Sequence, residues 1–262
     1  MRSGRNWKIF NLTLVVNLSL YFFVPTLLCA QGEPASEWNL LYTRIRDRRV
    51  PKEEARTQLS LLEAQLRNDF SKQTKVPQDK EPAFPLEGYT ARSIGGKDGS
   101  GYQVKGYDFF DGNDHKGHPG HDIFILDRNQ DSLDDKTGKP VNVISVSPGI
   151  VVSINMNWEP SSSIRGGNYI WVFEPATGRY FYYAHMDKIF VTVGQVVSKG
   201  TRMGTIGRTG LNAYPKRSPT HLHFTVHQSF EGYPKPINTY KELNDVTVSV
   251  TSCPEKTRKN MT

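Results

Sequence analysis

Residues 168–184 read NYIWVFEPATGRYFYYA, and this stretch decides the fold class. Two runs rich in β-branched and aromatic residues, 168–174 and 180–184, stand on either side of the turn residues Thr177 and Gly178. Residues of these types favour extended backbone, and two such runs separated by a short Gly-containing loop are typical of adjacent antiparallel strands. The stretch therefore predicts part of an antiparallel β-sheet.

Further runs of the same kind lie on both sides of this stretch. They are Val141–Val146, Ile150–Ile154, Ile189–Val193 and His221–Val226. Strands at this spacing, with turn residues rather than helical patterns between them, pair as an antiparallel sheet or sandwich. The predicted fold class is mainly β, an antiparallel sheet or sandwich with a short N-terminal helical segment.

That helical segment is predicted within residues 31–75. Pro51 suits a first helical position, and Glu53 and Glu54 favour the positive end of a helix dipole. Apolar residues then recur at three- and four-residue spacing and form one stripe. They are Ala55, Leu59, Leu62, Leu66 and Phe70. With a shorter helix over 38–49, the pattern predicts a helical hairpin that packs on the main domain or on a protein partner.

The remaining boundaries follow from composition. Three prolines between Val76 and Pro85 predict a linker over 76–84. The main domain is predicted over 85–235. The polar residues after it predict a loosely held tail over 236–262.

The first 30 residues have the pattern of a secretory signal. Arg2, Arg5 and Lys8 precede an apolar run over 9–28, and Cys29 and a small residue follow it. An uncleaved anchor is the alternative, since the run is nearly long enough to span a bilayer. Cys29 also allows a lipid-modified terminus, which the bulky residues before it disfavour. We expect an exported protein, periplasmic or extracellular, that meets a membrane only if this segment is retained.

Charge and cysteine content narrow the partners. Without the first 30 residues, which hold three basic and no acidic residues, the formal net charge of +7 falls to +4. A modest positive charge suits an anionic polymer such as a cell wall but is too small to indicate nucleic-acid binding. Only Cys253 of the two cysteines then remains. Core packing or a metal ion, rather than an internal disulfide, is expected to hold the domain together.

Histidines are concentrated in one part of the chain, because all seven lie within 115–227. His221 and His223 are two residues apart on a predicted strand, so both imidazoles face the same side. The intervening Leu222 can then enter the core. We expect the two imidazoles to line a cleft.

Two further segments indicate metal-binding chemistry. His118 and Asp122 stand four residues apart across a Pro-Gly turn, and His185 ends a predicted strand. Catalytic zinc takes three nitrogen or oxygen ligands from the protein and leaves a fourth position to water. Two histidines and one carboxylate satisfy that count, although spacing alone does not show which of these residues converge.

Seven motifs follow one another in a specific order between about Pro85 and Gln228. They are His118-Pro-Gly-His-Asp122-Ile, Pro148-Gly-Ile-Val-Val, Gly167-Asn-Tyr-Ile-Trp-Val, Tyr183-Ala-His-Met, Val193-Gly-Gln-Val-Val-Ser-Lys-Gly200, Gly204-Thr-Ile-Gly-Arg-Thr-Gly210 and His221-Leu-His-Phe224. This ordered set resembles the lysostaphin-like zinc metallopeptidases of the M23 class. Enzymes of that class cut peptide cross-links of bacterial peptidoglycan.

The resemblance implies a role for each matching position. His118, Asp122 and His223 match the family's zinc ligands, while His185 and His221 match its two catalytic histidines that do not bind the metal. It also implies Zn²⁺ as the cofactor, peptidoglycan stem peptides as the substrate, and an exported zinc metalloendopeptidase as the function. With no catalytic glutamate, either His185 or His221 would orient or deprotonate the attacking water.

Other residues near these motifs are expected to have lesser roles. The segments 126–139 and 211–220 are longer than the family's usual connections, and we expect them on the cleft rim or as surface insertions. His121 is expected to point away from the metal ligands. His115 and His227 are expected at the surface or in the cleft wall.

Two other functions are compatible with parts of the pattern. A catalytically inactive relative that binds the wall or activates another cell-wall hydrolase would usually lose ligand positions, whereas all five positions are kept here. An iron oxygenase also uses two histidines and a carboxylate. That class typically places its His and Asp two residues apart rather than four, so the sequence favours the endopeptidase.

Overall fold

The computed structural model describes residues 33–73 and 83–246. The signal segment, most of the predicted linker and the end of the predicted tail lie outside these residues. The described helices are α1 (Pro34–Arg46), α2 (Lys52–Gln73) and α3 (Tyr240–Asn244). The described strands are β1 (His121–Phe124), β2 (Asn142–Ile144), β3 (Gly149–Asn155), β4 (Tyr169–Glu174), β5 (Arg179–Ala184), β6 (Met186–Ile189), β7 (Val196–Val197), β8 (Arg202–Ile206), β9 (His221–Phe230) and β10 (Tyr233–Ile237).

These strands form two antiparallel sheets. The larger has the order β1-β9-β5-β4-β3-β7, with β10 paired to β9, and the smaller has the order β2-β8-β6. β4 and β5 pair from Tyr169 with Ala184 to Glu174 with Arg179, so residues 168–184 form the predicted antiparallel pair. The mainly β, antiparallel fold class is confirmed.

Both faces of the larger sheet carry buried side chains, because alternate residues point to opposite sides and each side packs against another layer. In β4, Ile170 and Val172 point to one side and join Met203 and Ile206 of the smaller sheet in a common core. This side packs the two sheets into a sandwich. We call it the inner face and the opposite side the outer face.

The outer face of the larger sheet packs against the helical hairpin of α1 and α2. Trp38 of α1 is fully buried there with Trp171 and Phe173 of β4. The Trp38 Nε1–H donates a hydrogen bond of 3.0 Å to the hydroxyl of Tyr180. Most of the predicted stripe of α2 is buried in the same cluster, with Phe70 only partly covered. The stripe therefore packs within this chain rather than waiting for a protein partner.

The predicted strand Ile189–Val193 is displaced in the structure. β6 ends at Ile189, and the chain turns at Gly194, where the backbone φ is 86°. Val191 is nevertheless buried in the core without belonging to a strand. The apolar pattern predicted burial correctly here, but burial does not require ladder hydrogen bonds.

The predicted loose tail is also partly wrong. Residues up to 246 are described, and they include the end of β10 and the helix α3. Leu243 of α3 is 3% exposed and packs into the inner core. One buried leucine is enough to dock a short polar segment. No described helix combines the length and the apolar character that a bilayer-spanning segment needs.

Candidate functional site

The pairing of β1 with β9 places the predicted site residues on one face of the larger sheet. Asp122 lies directly opposite His223, and Phe124 lies opposite His221. Both histidines therefore face the same side as the Asp122 carboxylate, which is the outer face. Leu222 between them is fully buried on the inner face, as the alternation predicted.

His118, Asp122 and His223 form a compact group of potential metal ligands. The Asp122 Oδ1 lies 3.1 Å from His118 Nε2 and 3.0 Å from His223 Nδ1. One ligand atom from each residue lies within 4.8 Å of the others. Burial alone raises the pKa of Asp122, but hydrogen bonds to the two imidazoles outweigh it and hold that pKa well below its usual range. Asp122 is therefore an anion, ready to bind a cation.

The opposite nitrogen of each of these imidazoles also has a partner. His118 Nδ1 lies 2.8 Å from the carbonyl oxygen of Gly101, and His223 Nε2 lies 3.0 Å from the hydroxyl of Thr225. Because a carbonyl can only accept, His118 Nδ1 carries a hydrogen, and Nε2 is the nitrogen that faces Asp122. Partners of this kind orient ligand histidines in metal sites.

Two further imidazoles stand beside this group. The rings of His185 and His221 are 4.8 Å apart, and His221 Nε2 lies 3.7 Å from Asp122 Oδ1. His185 donates its Nδ1–H to the carbonyl of Thr209, and His221 donates to that of Pro219, each at 2.8 Å. In the neutral form, both rings therefore keep Nε2 as the proton acceptor.

Local backbone geometry holds His185 in place. Its φ of 66° lies in the left-handed region, which non-glycine residues rarely adopt. The His185 amide donates to the Gly166 carbonyl, and its own carbonyl accepts from Gly207. Burial, together with the nearby imidazoles of His221 and His223, holds the pKa of His185 well below its usual range. His185 is therefore neutral near pH 7.

The five predicted site residues line one cleft of about 180 Å³. The cleft is also lined by residues to which the sequence analysis gave no role or only a wall position. These are His115, Arg165, Tyr182, Asn212 and Ser218. Arg165 directly precedes Gly166 and Gly167, and no sequence pattern marked it as part of the site. The structure thus brings together residues that are up to 105 positions apart, from His118 to His223.

The other histidines divide between the two faces. His121 lies on the inner face, where its Nε2 is 3.2 Å from the side-chain oxygen of Asn238 and away from Asp122, as expected from the strand alternation. His115 lines the cleft. His227 differs from expectation, because it is only 1% exposed. The segment containing Tyr107 covers that end of β9, and the Tyr107 hydroxyl lies 2.8 Å from His227 Nε2.

The two long connections meet beside the cleft. Gln130 donates its side-chain amide to the carbonyls of Lys216 and Ser218, and Thr220 donates its hydroxyl to Asp127 at 2.6 Å. Segment 211–220 thus lines the cleft through Asn212 and Ser218. Segment 126–139 supports it from behind.

Residues 129–239 match the family model of peptidase family M23. The match includes His185, His221 and His223 but begins after His118 and Asp122. The chain matched none of the curated protein sequences.

Several solved structures are similar to this chain. The lytM protein of Ruminococcus gnavus ATCC 29149 is 22% identical, with a TM-score of 0.41, over 82% of this chain and 82% of that one. A zinc-containing peptidase from Vibrio cholerae is 23% identical, with a TM-score of 0.38, over 61% of this chain and 39% of that one. The catalytic domain of lysostaphin from Staphylococcus simulans is 26% identical, with a TM-score of 0.32, over 48% of this chain and 77% of that one. This chain therefore spans well under half of the Vibrio cholerae protein.

Proposed function

Because residues 129–239 match the family model of peptidase family M23, we propose that this chain is a zinc metalloendopeptidase that hydrolyses peptide cross-links of bacterial peptidoglycan. The observation that carries the proposal is the group of His118, Asp122 and His223 beside two further imidazoles in one cleft. We also propose that it acts outside the cytoplasmic membrane. The signal pattern of residues 1–30 supports export.

The donor set fits zinc. His118 through Nε2, His223 through Nδ1 and Asp122 through a carboxylate oxygen would hold the metal, whereas calcium and magnesium prefer oxygen ligands alone. Zinc bound there would polarise the scissile carbonyl and lower the pKa of a bound water toward about 7. The hydrogen bonds from His118 to Gly101 and from His223 to Thr225 keep both rings oriented for this task.

His185 and His221 supply the proton transfers in this proposal. Each presents an unprotonated Nε2 when neutral, so either can take a proton from the water that attacks the carbonyl carbon. The carbon–nitrogen bond then breaks, and a protonated imidazole delivers the proton to the leaving amine. The ring separation of 4.8 Å supports this assignment, because two imidazoles this close could both reach one peptide bond.

The direct test uses the purified protein, zinc and intact sacculi. We expect cross-linked muropeptides to be converted to monomers with new amine termini, identified by mass spectrometry. Removing zinc with a chelator should abolish the release, and adding zinc back should restore it. A zinc-loaded protein that binds sacculi but releases no amines from any cross-link chemistry would instead be a wall-binding scaffold or an activator of another hydrolase.

A further inference from the structure

Arg165 lies at the cleft without an assigned role. It lines the same cavity as the five site residues, and among the described lining residues only Arg165 and Asp122 are permanently charged. Its side chain is half-buried. A guanidinium in such a position needs an explanation, because removing a charge from water is costly unless the charge is compensated.

The backbone around Arg165 is tied to the candidate catalytic histidine. The carbonyl of the next residue, Gly166, accepts the amide of His185 at 2.9 Å. On the other side, a side chain at Gly210 would collide with the Arg165 carbonyl and with the His185 ring. The backbone of Arg165 is therefore held in a defined position next to His185.

The guanidinium of Arg165 is only partly compensated within the protein. Its Nη1 donates to the backbone carbonyls of His115 at 2.7 Å and Asn113 at 3.5 Å. Among the described residues, no carboxylate forms an ion pair with it, and no acceptor is bonded to its Nη2 or Nε. Arg46, which is also half-buried, pairs instead with the carboxylate of Asp47 at 2.7 Å. Hydrogen bonds from Nη1 thus orient the Arg165 side chain, while the N–H groups of Nη2 and Nε remain available to a ligand.

We propose that Arg165 binds a carboxylate of the substrate peptide beside the scissile bond, an inference that rests on the function proposed above. A guanidinium matches a carboxylate geometrically and can donate two parallel hydrogen bonds to it. The charge balance agrees, because a divalent metal at Asp122 leaves the cleft floor positive. In a stem peptide the carboxylate comes from the terminal residue or from the side chain of a diamino acid.

Four synthetic stem tetrapeptides separate these sources. One keeps both carboxylates, two carry a single amide at either position, and the last carries both amides. Binding is measured by calorimetry on the zinc-loaded His221→Ala protein, so that turnover does not interfere. We expect amidation at the recognised position to weaken binding about 10- to 100-fold, which is the value of a charge-assisted hydrogen bond. The peptide that loses affinity identifies the source.

Variants of Arg165 then test the residue itself. In the Arg165→Gln protein the preference for carboxylate over amide should fall to about one, and Arg165→Lys should retain part of it. Equal weakening of all four peptides by Arg165→Gln would mean that the arginine only holds the backbone of residues 113–115. No effect of amidation, or no binding of any peptide, would also overturn the proposal.

Hydrolysis of sacculi by the unaltered protein tests the peptidase function separately from the carboxylate-binding role of Arg165. If the carboxylate preference depends on Arg165 but no amines are released, the carboxylate site stands and the peptidase function fails. If amines are released without any carboxylate preference, only the role of Arg165 fails.

Discussion

Of the three histidines on the outer face of β9, His223 and His227 lie four residues apart in different surroundings. His223 lines the cleft, where its Nδ1 lies 3.0 Å from Asp122 Oδ1. His227 is buried, and the Tyr107 hydroxyl contacts its Nε2. Burial lowers the pKa of both imidazoles. Only His223 has a carboxylate to share a cation with, and His227 Nδ1 is buried without a described partner. The same residue type on the same strand thus lines a cleft or lies in a packed interior, depending on which segment covers it.

The comparison extends to the whole outer face. Its covered part lies under α1 and α2, where polar groups such as the Tyr180 hydroxyl bond to Trp38 and Glu63. In its open part, backbone carbonyls hold one nitrogen of His118, His185 and His221. The remaining nitrogens of these rings are left for a metal or a substrate. In the covered part the polar groups bond to one another, and in the open part imidazole nitrogens face the cleft.

Removing a ligand from the open part should have the largest effect. We expect the unaltered protein to bind about one zinc and His223→Ala to lose most of it, because two remaining ligands cannot replace a three-residue set. His121→Ala, which removes an imidazole from the opposite face, should keep its zinc. Elemental analysis of the dialysed proteins measures both. Equal zinc loss in the two variants would show that the ligand set is wrong.

Removing the Trp38 side chain should instead destabilise the covered part of the outer face. Trp38 is fully buried, so Trp38→Ala should lower the free energy of unfolding by about 3–5 kcal/mol, as for other large core truncations. Urea unfolding measures the change. Leu40 on the same helix is 59% exposed, and Leu40→Ala should change stability by less than about 0.5 kcal/mol. The milder Trp38→Phe serves if the alanine variant does not fold. A matching loss in Leu40→Ala would contradict the assigned packing.

Substitution of either candidate catalytic histidine should lower turnover without lowering zinc content. His185→Ala and His221→Ala should each keep zinc while lowering turnover at least about 100-fold, the usual scale for a lost acid or base. Amine release from peptidoglycan and zinc content are measured on the same samples, with His121→Ala as the matched loss of an imidazole. Turnover that survives both changes would remove these residues from the mechanism.

His227 should make the smallest contribution, visible as a dependence of stability on pH. Burial lowers its pKa to about 3, below the ordinary value of 6.5, so the unfolded chain binds its proton first as pH falls. The contribution of the neutral His227 to the free energy of unfolding is fully present above pH 6.5 and is lost progressively between pH 6.5 and about 3. At pH 5 the loss should reach about 2 kcal/mol. Urea unfolding should show a steeper loss of stability between pH 6.5 and about 3 in the unaltered protein than in His227→Gln, since the other histidines with lowered pKa values are present in both. Identical slopes would contradict the burial of His227.

Much of this arrangement could be predicted from local patterns. The alternation of residues 168–184 predicted the pair of central strands, and the spacing of His221 and His223 predicted that both share a face. The stripe of α2 predicted a buried helix. These inferences hold because the direction of a side chain on a strand or helix depends on its own backbone, with a period of two or 3.6 residues.

Other features depended on contacts between distant residues. The sequence indicated metal chemistry near His118 and Asp122, but only the register of β1 against β9 brings Asp122 opposite His223. Likewise, no local pattern showed that His227 would be buried, or singled out Arg165. Tyr107 contacts His227, and the other cleft residues surround Arg165. These neighbours come from distant parts of the chain and meet only when it folds. Short-range geometry is encoded residue by residue, whereas burial and charge pairing are decided by whichever segments pack together.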